Sequence, residues 1–515
     1  MNNSNLLTSR LRFVACTLIF LAHSSNAIAE KPAVKDSKQS IADFNATDTL
    51  YKAQCATCHG VDRAGSIGPA LLPGNLSRLK AKAAFSVIKN GRAASQMPAF
   101  ASKLSDSEIQ NLTDYIYQPS KLKLTWEEAN IRNSHKLLAE NKKLSTKPQF
   151  KADPMNLFIV VESGDHHATL LDGDSFESIT RFKTHFALHG GPKYSPDGRF
   201  VYFASRDGWV TKYDIYNLTD VAEVRVGINT RNIAVSHDGR FVAAANYLPN
   251  SIVLLDAKDL SFIKKLEVSK EGEPSRVSAI YTAPQRNSFI AALKDVKEVW
   301  ELPYEKNIGA IRKLPVETLL DDFFFDQDYR YLIGSSREKK GGVVIDMDSG
   351  KVEAEIDLPG MPHLGSGIIW KAGERTVLAT PNLSESAVTL IDTKTWLPIK
   401  KLETKGPGFF MRSHENSDYA WTDVFFGPNK DLVHIIDKKS LAIIKTLRPE
   451  PGKTAAHVEF TKDGRYALLS IWENEGAVIV YDAKTFEEVK RLPMNKPSGK
   501  YNVFNKIHYS SGTSH

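Results

Sequence analysis

The stretch "YSPDGRFVYFAS", residues 194–205, contains a tight turn between two apolar segments and has three further copies along the chain. The copies are "VSHDGRFVAAAN" from residue 235, "FDQDYRYLIGSS" from residue 325 and "FTKDGRYALLSI" from residue 460. Asp-Gly supplies the positive-φ positions that a tight hairpin needs. Each copy is followed by an apolar strand that contains or ends in aspartate: "VTKYDIYN", "IVLLDAKDL", "VVIDMDSGK" and "VIVYDAKTF". The repeated unit is therefore a group of short antiparallel strands.

The spacing of the copies predicts the architecture. The turn residues Asp197, Asp238, Asp328 and Asp463 are separated by 41, 90 and 135 residues. These steps fit one, two and three units of roughly 45 residues, the period of a four-stranded propeller blade. We count eight candidate units, of which the one at 277–312 is faint. We therefore predict an eight-bladed β-propeller over residues 153–515, with an array of β-sandwiches as the alternative.

Residues 41–118 differ in character from the rest of the chain and predict a small all-α domain. Three segments have helical periodicity, and the last opens with Ser105 followed by Glu108, the pattern of a capping box. Residues 119–152 are highly charged and partly helical, and we interpret them as a linker. The chain is thus predicted to be multidomain, with a helical domain preceding an all-β propeller.

The helical domain contains the sequence Cys55-Ala-Thr-Cys58-His59, the spacing at which two thiols attach haem c and the histidine binds its iron. Met97 follows 38 residues after His59, in a Met-Pro-Ala-Phe context that resembles the sixth ligand of class I cytochromes c. Gly68-Pro69 resembles the turn that holds the proximal histidine of such domains. A zinc site is disfavoured because no second cysteine pair completes a tetrahedron. We predict a one-electron haem c module.

The N-terminus predicts export. Arg10 and Arg12 precede the apolar run "FVACTLIFLA", and Ala27-Ile-Ala29 forms a small-x-small cleavage site. The run is about half of what a bilayer span requires. We interpret residues 1–29 as a signal peptide and the mature protein as periplasmic, without a membrane span.

Composition and charge argue against a disordered protein, a membrane-embedded protein and a nucleic-acid-binding protein. The 515 residues are 42% hydrophobic and 25% charged, typical of globular domains. The formal charge of +7 is spread along the chain without a basic arm, so we expect no nucleic-acid partner.

Histidines occur at strand entries in separate blades, where a propeller gathers residues around one central opening. These are His189, His363 and His457, with His414 a looser fourth. A single histidine is usually a surface or hydrogen-bonded filler residue, but three equivalent positions favour a shared pocket. Such a group could bind a metal centre and act as an acid or base near neutral pH.

The complete arrangement resembles the cytochrome cd1 family, in which a class I cytochrome c domain is joined to an eight-bladed propeller. "FALHGGPKYSPDGRF" and the following blades resemble the family's first blades, and "PSGKYNVFNKIHY" resembles its closing segment. The resemblance implies that the propeller binds haem d1, a modified porphyrinoid. It further implies that His189 is the proximal iron ligand and that Arg206 and Arg231 lie near the macrocycle's carboxylates, as guanidinium–carboxylate contacts require.

The chain departs from the nitrite reductases of this family. In our alignment their two distal histidines fall within "YTAPQRNSFI" and "VETLLDDFFFD", which contain no histidine. The resemblance is therefore closer to the branch that oxidises dihydro-haem d1 to haem d1 in the last step of haem d1 biosynthesis. It implies proton handling by His457 and Tyr501, His363 as a further pocket residue, and electron transfer to haem c. A periplasmic electron acceptor and a cytochrome cd1 nitrite reductase that receives haem d1 are the implied partners.

Three alternatives remain at this point. The chain could be a nitrite reductase, or a carrier that binds haem d1 without chemistry. A haem c quinoprotein dehydrogenase is a third, disfavoured because no adjacent cysteine pair and no repeated tryptophan motif are present.

Overall fold

The computed structural model describes residues 37–515 except 67, 77–78, 92–96, 121–123, 141–142, 186–187, 189, 306, 336–340, 359, 510–511 and 513–515. The chain divides into two compact units, Met1–Ala46 and Thr47–His515. The described part of the first unit is helical. The predicted signal peptide lies outside the described residues. No helix within the described ranges is long and apolar enough to cross a membrane.

Among the described residues, five helices precede the predicted linker and include the three predicted helical segments. They are α1 (Ser37–Gln54), α2 (Ala56–His59), α3 (Pro73–Leu76), α4 (Ala81–Asn90) and α5 (Asp106–Ile116). Tyr51, Ile109 and Leu112 are fully or almost fully buried among them. The predicted capping box of α5 is confirmed, since the side chains and backbone N–H groups of Ser105 and Glu108 hydrogen-bond reciprocally.

The segment predicted as a linker packs along one blade of the propeller. It contains α6 (Glu128–Ser134) and the short strand β1 (Lys136–Leu137). β1 adds to the outer edge of a sheet, where Lys136 lies opposite Glu223. The predicted boundaries at residues 118 and 152 stay a prediction.

Eight antiparallel four-stranded sheets follow among the described residues, one per blade, and β1 extends one of them. Blade 1 contains β2 (Leu157–Glu162), β3 (His167–Asp172) and β4 (Ser178–Lys183), and its fourth strand comes from the end of the chain. Blade 2 contains β5 (Lys193–Tyr194), β6 (Phe200–Ala204), β7 (Trp209–Asp214) and β8 (Thr219–Arg225), and blade 3 contains β9 (Asn229–Val235), β10 (Phe241–Leu248), β11 (Ser251–Asp256) and β12 (Phe262–Glu267). After the hairpin of β13 (Ser269–Lys270) and β14 (Glu273–Pro274), blade 4 contains β15 (Val277–Ala283), β16 (Ser288–Leu293), β17 (Glu298–Pro303) and β18 (Arg312–Pro315).

Blades 5 to 8 follow in the same manner. Blade 5 contains β19 (Asp322–Phe325), β20 (Tyr331–Ser335), β21 (Gly342–Asp346) and β22 (Lys351–Ile356), and blade 6 contains β23 (Ile368–Ala372), β24 (Arg375–Pro381), β25 (Ala387–Asp392) and β26 (Pro398–Glu403). Blade 7 contains β27 (Met411–Ser413), β28 (Tyr419–Asp423), β29 (Val433–Asp437) and β30 (Ala442–Leu447), and blade 8 contains β31 (Ala455–Phe460), β32 (Tyr466–Ile471), β33 (Gly476–Asp482) and β34 (Glu488–Met494). The predicted eight-bladed propeller, including its faint blade 4, is confirmed.

The last strand closes the ring. β35 (Pro497–Asn502) pairs with β2 as the innermost strand of blade 1, with Tyr501 opposite Ile159. Helix α7 (Val503–His508) follows it. The eight innermost strands, β5, β9, β15, β19, β23, β27, β31 and β35, enclose the central space that we call the hub. Residues that enter these strands from different blades are thereby brought together.

The recurring sequence builds the same turn in each copy. In blade 2, Ser195 Oγ accepts a hydrogen bond from the N–H of Phe200 at 2.9 Å. In blade 5, which has no serine or threonine at that place, Asp326 Oδ1 accepts the equivalent bond from Tyr331 at 2.8 Å. Tyr329 there has a φ of +54°, where the other copies have glycine. The pattern therefore follows from turn chemistry.

Hydrophobic residues of neighbouring strands pack between the blades. Within the described part of the chain, a buried cluster lies between every pair of adjacent blades, such as Tyr202 and Val253 between blades 2 and 3. Trp421 and Phe460 join blades 7 and 8 in the same way. This packing makes the ring of inner strands a rigid support for the hub.

Candidate active site

The predicted haem c site lies at the junction of α1 and α2. Cys55 and Cys58 are partly buried and form no disulfide. The Nδ1–H of His59 donates to the carbonyl of Pro69 at 2.8 Å. Burial lowers the pKa of His59, which favours the neutral imidazole that binds a metal. The two thiols and the oriented imidazole therefore fit a covalently bound haem.

Gly68 makes the close approach to His59 possible. A Cβ atom at Gly68 would lie 2.6 Å from Cε1 of the imidazole, so a larger residue would displace the ring. Met97 is partly buried, and the residues immediately before it, 92–96, lie outside the described ranges. Its role as the sixth ligand stays a prediction.

Two of the predicted histidines lie in the hub. His363 precedes β23, and its Nδ1–H donates to the carbonyl of Phe409 at 2.6 Å. Its Nε2 is 3.4 Å from Oδ2 of Asp322, which begins β19 in the neighbouring blade. Asp322 also accepts a 3.5 Å hydrogen bond from the hydroxyl of Tyr281. His363 is thus held from both of its ring nitrogens.

His457 contacts Tyr501 across the closure of the ring. Their ring centroids are 5.2 Å apart, and the ring centroid of Phe410 lies 4.8 Å from that of His457. Burial, followed by the positive charges of Lys500, Arg412 and Lys506, holds the pKa of His457 well below its usual value. Burial raises the pKa of Tyr501 to about 12.

This pair has complementary protonation states. Near neutral pH the imidazole of His457 is uncharged and accepts a proton, whereas the phenol of Tyr501 remains un-ionised. The arrangement provides a proton acceptor and a hydroxyl donor in one buried place.

His189 lies outside the described residues, so its assignment as an iron ligand stays a prediction. The two glycines that follow it are described. Gly191 has a φ of +71°, and a Cβ atom there would lie 2.8 Å from Cε1 of Tyr501. A Cβ at Gly190 would meet Asn232 of β9 at 2.4 Å. Gly191 thus brings the chain next to Tyr501, and Gly190 brings it next to β9.

His414, the looser candidate, lies at the opposite end of β27 from Phe409 and Phe410. Its Nδ1 accepts a hydrogen bond from the N–H of Asn416, and its ring packs 6.1 Å from Phe460. Across the described residues, no group of three or more His, Cys, Asp or Glu side chains is placed to bind a metal ion.

A cluster of four basic side chains surrounds Tyr247, and two of them were predicted. The cluster consists of Arg206, Arg231, Arg276 and Lys294. Burial alone would raise the pKa of Tyr247, but these charges outweigh it and lower that pKa to about 8. Arg276 pairs with Asp295 and Lys294 pairs with Asp321, so the guanidinium groups of Arg206 and Arg231 are the candidates to bind a carboxylate ligand.

The basic cluster adjoins the cytochrome region. The Nη1 group of Arg276 donates to the carbonyl of Asn75 in α3 at 2.7 Å. Asp295 holds the same guanidinium with two hydrogen bonds of 2.6 and 2.8 Å. Arg276 therefore joins blade 4 to the region that contains the haem c motif.

Sequence reasoning missed several hub residues: Asp322, Asp423, Arg412, Lys500, Lys506 and Tyr247. Lys500 and Lys506 lie within "PSGKYNVFNKIHY", but the resemblance of that segment implied a role only for Tyr501. The missed residues become functional candidates only because strands from different blades converge.

Comparisons with known proteins agree with this geometry. Residues 152–506 match the family described as "Cytochrome D1 heme domain". Residues 42–116 match the family described as "Cytochrome C oxidase, cbb3-type, subunit III". The first match alone spans more than half of the chain.

The curated relatives include two of nearly full length. A protein of Pseudomonas aeruginosa named dihydro-heme d1 dehydrogenase is 58% identical over 470 residues, covering 91% of this chain and 95% of the relative. A protein of Stutzerimonas stutzeri named nitrite reductase is 24% identical, covering 90% and 93%. The solved structure titled "Dihydro-heme d1 dehydrogenase NirN in complex with DHE" is 58% identical, with a TM-score of 0.79, and covers 90% of this chain and 99% of that one.

Proposed function

The chain belongs to the cytochrome d1 heme-domain family, and from this premise we propose that it oxidises dihydro-haem d1 to haem d1. The reaction converts a propionate side chain, –CH2–CH2–COO⁻, into an acrylate, –CH=CH–COO⁻. It releases two protons and two electrons. The protein must therefore hold the macrocycle, accept protons beside one side chain and provide an exit for electrons.

The observation that carries the proposal is the buried pair of His457 and Tyr501. The uncharged imidazole of His457 accepts a proton from the propionate chain, and Tyr501 donates a hydrogen bond to the reacting group or to the imidazole. His363 is oriented by Phe409 and Asp322, so its imidazole presents a fixed face to the hub.

Binding of the substrate's carboxylates falls to the basic cluster around Tyr247. Arg206 and Arg231 take the roles that the family resemblance implies, beside Arg276 and Lys294, which pair with Asp295 and Asp321. His189 binds the iron of the macrocycle by the same resemblance. Gly191 supports this role because it allows the chain to pass close to Tyr501.

The two electrons need an acceptor. Cys55, Cys58, His59 and Met97 would hold haem c, which would supply a one-electron acceptor. Arg276 connects the haem c region to the basic cluster, which supports a short path for electron transfer from the substrate to haem c. The predicted signal peptide supports a periplasmic location for this chemistry, with a one-electron carrier protein as the oxidant of the module. A cytochrome cd1 nitrite reductase is the recipient of the product.

The two stretches without distal histidine argue against nitrite reduction. Tyr281 and Asp322 come from these stretches, and they contact each other in the hub. Neither group is an imidazolium that donates protons to bound nitrite near neutral pH.

The experiment supplies the purified protein, loaded with haem c, with dihydro-haem d1 and an artificial one-electron oxidant under anoxic conditions. Absorbance spectra of the macrocycle are followed with time. Formation of haem d1 is the expected result. Bound but unchanged substrate would identify a carrier, and nitrite turnover after loading with haem d1 would identify a reductase.

A further inference from the structure

The backbone of His457 is unusual. Its φ is +54°, and among the described residues it is the one non-glycine position inside a strand with a positive φ. The others lie in turns, in loops or at the ends of elements. The pairing of β31 with β32 is also interrupted between Ala456 and Glu459, as in a β-bulge. A β-bulge changes the direction in which a side chain points. A residue other than glycine keeps a left-handed backbone conformation only where the surrounding structure imposes it.

Two buried side chains hold the peptide groups on both sides of His457. The N–H of His457 donates to Oδ2 of Asp423, at the end of β28, at 3.4 Å. The carbonyl of His457 accepts a hydrogen bond from Nζ of Lys500, on β35. The exposed fractions of Asp423 and Lys500 are 1% and 0%, so water does not compete for these contacts.

Each of the two side chains is itself fixed. Oδ1 of Asp423 accepts hydrogen bonds from the N–H groups of Phe409 and Phe410 at 2.7 and 3.1 Å. Nζ of Lys500 also donates to Oγ of Ser470 at 2.9 Å. Asp423 lies in blade 7 and Lys500 lies in blade 1, the two blades that flank His457 in blade 8. The neighbouring blades therefore determine the backbone of His457.

We propose that Asp423 and Lys500 are positioning residues that impose the left-handed backbone of His457 and so hold its imidazole against Tyr501. This inference rests on the proposed function only in naming His457 as the proton acceptor. Without the two contacts, β31 relaxes toward regular pairing, and the imidazole turns away from the ring of Tyr501.

The same two side chains influence the charge of His457. The titratable and charged groups that face it are Asp423 of β28, Arg412 of β27, Lys500 and Tyr501 of β35, Lys506 of α7 and Glu459 of its own strand. Burial is the largest cause of its lowered pKa, and Lys500 is the second. Loss of the Lys500 cation therefore raises the pKa of His457. This pKa still stays below its usual value, because the imidazole remains buried.

The test compares Lys500→Met and Asp423→Asn with two matched controls. Asp423→Asn keeps the size and shape of the side chain. If the amide oxygen still accepts from the N–H of Phe409, the NH2 group faces the N–H of His457 and cannot accept its hydrogen bond. Lys212 is also buried and donates to backbone carbonyls, at Ala257 and Lys258, but in blade 2. Asp431 accepts from the N–H of Gly452 outside the hub. Lys212→Met and Asp431→Asn thus remove comparable contacts elsewhere.

The first measurement is the NMR titration of ¹³Cε1-labelled histidine in the full chain, with haem c reduced and no substrate present. The signal of His457 is the one lost in His457→Gln. We expect Lys500→Met to raise its apparent pKa by about one unit or more, and Asp423→Asn to change its chemical shift. This readout does not depend on turnover, so it separates the inference from the proposed function.

The second measurement is the pH dependence of turnover. Lys500→Met should move the acidic limb of kcat/KM to higher pH, and both variants should lower kcat about tenfold or more with little change in KM. Should Lys500→Met fail to fold, Asp423→Asn decides. An unchanged His457 signal in both hub variants, or equal changes in the two controls, would overturn the proposal.

Discussion

Oδ2 of Asp322 lies 3.4 Å from Nε2 of His363, although the two residues enter the hub from different blades. The same carboxylate accepts hydrogen bonds from the N–H of Gly365 and the hydroxyl of Tyr281 at 3.0 and 3.5 Å. A single acidic side chain thus orients an imidazole, a phenol and the chain that leads into β23.

Substitution of Asp322 tests the importance of this orientation. We expect Asp322→Asn to lower kcat about tenfold, because a charge-assisted contact to His363 is lost while the side chain keeps its shape. Steady-state oxidation of dihydro-haem d1 measures the effect. Asp392→Asn, which alters a turn aspartate at the outer end of β25, is the control. Equal losses in both variants would show that Asp322 acts only on stability.

The haem c site makes a steric prediction at Gly68. Gly68→Ala places a methyl group 2.6 Å from Cε1 of His59, so the imidazole must shift and its bond to the iron weakens. The reduced absorbance spectrum and the reduction potential of haem c should both change. Gly74→Ala is the matched control, since a Cβ there meets nothing within 4 Å. Identical spectra for the two variants would contradict the predicted ligand role of His59.

The basic cluster predicts a pH dependence of substrate binding. The pKa of Tyr247 is about 8, so above that pH the phenolate neutralises part of the charge that attracts carboxylates. Binding then requires uptake of one proton, and Kd should rise about tenfold for each pH unit above 8. Tyr247→Phe should abolish this rise in an optical titration.

Tyr213→Phe is the control for Tyr247, because burial raises the pKa of Tyr213 and keeps it un-ionised in the same range. A Kd that rises equally in wild-type protein and Tyr247→Phe would exclude Tyr247 from the substrate site.

The blade-5 turn predicts a stabilising substitution. Burial raises the pKa of Asp326 to about 6, whereas the unfolded chain ionises at its usual, lower pKa. The folded state therefore binds the proton more tightly, and stability is lost as the pH rises toward 6. Asp326→Ser restores the side chain of blades 2 and 3 and should add on the order of 2 kcal/mol to the free energy of unfolding at pH 7.

Denaturant unfolding at two pH values checks this expectation. At pH 3 the gain should largely disappear, because Asp326 is then mostly protonated in both the folded and the unfolded state. A gain that is independent of pH would contradict a buried charge as its cause.

The fold could be predicted because its repeat is local. Asp-Gly turns and alternating strands recur at a nearly constant period, and each is determined by neighbouring residues. Blade 4 was faint for a physical reason: its first turn uses a short 3₁₀ segment, Pro284–Arg286, and a left-handed Asn287 in place of Asp-Gly. The turn is equivalent in position but has a different sequence.

The hub was only partly predictable. His457 and Tyr501 have neighbours that resemble a known family, but Lys500 acts on the carbonyl of a residue 43 positions away in another blade. Asp322 and His363 are likewise brought together only when the ring closes. Such contacts leave no local pattern, since they depend on the order of the blades around the axis.

The most direct measurement is a single turnover without added oxidant, in which the spectra of haem c and of the macrocycle are recorded together. We predict that haem c reduction and haem d1 formation follow the same time course, with two haem c groups reduced for each haem d1 formed. Since each chain has one haem c motif, the second electron passes to the haem c of another protein molecule. In His457→Gln both rates should fall together, by a factor on the order of 100 or more, while the macrocycle remains bound. Formation of haem d1 without reduction of haem c, or wild-type rates in His457→Gln, would contradict the central claim.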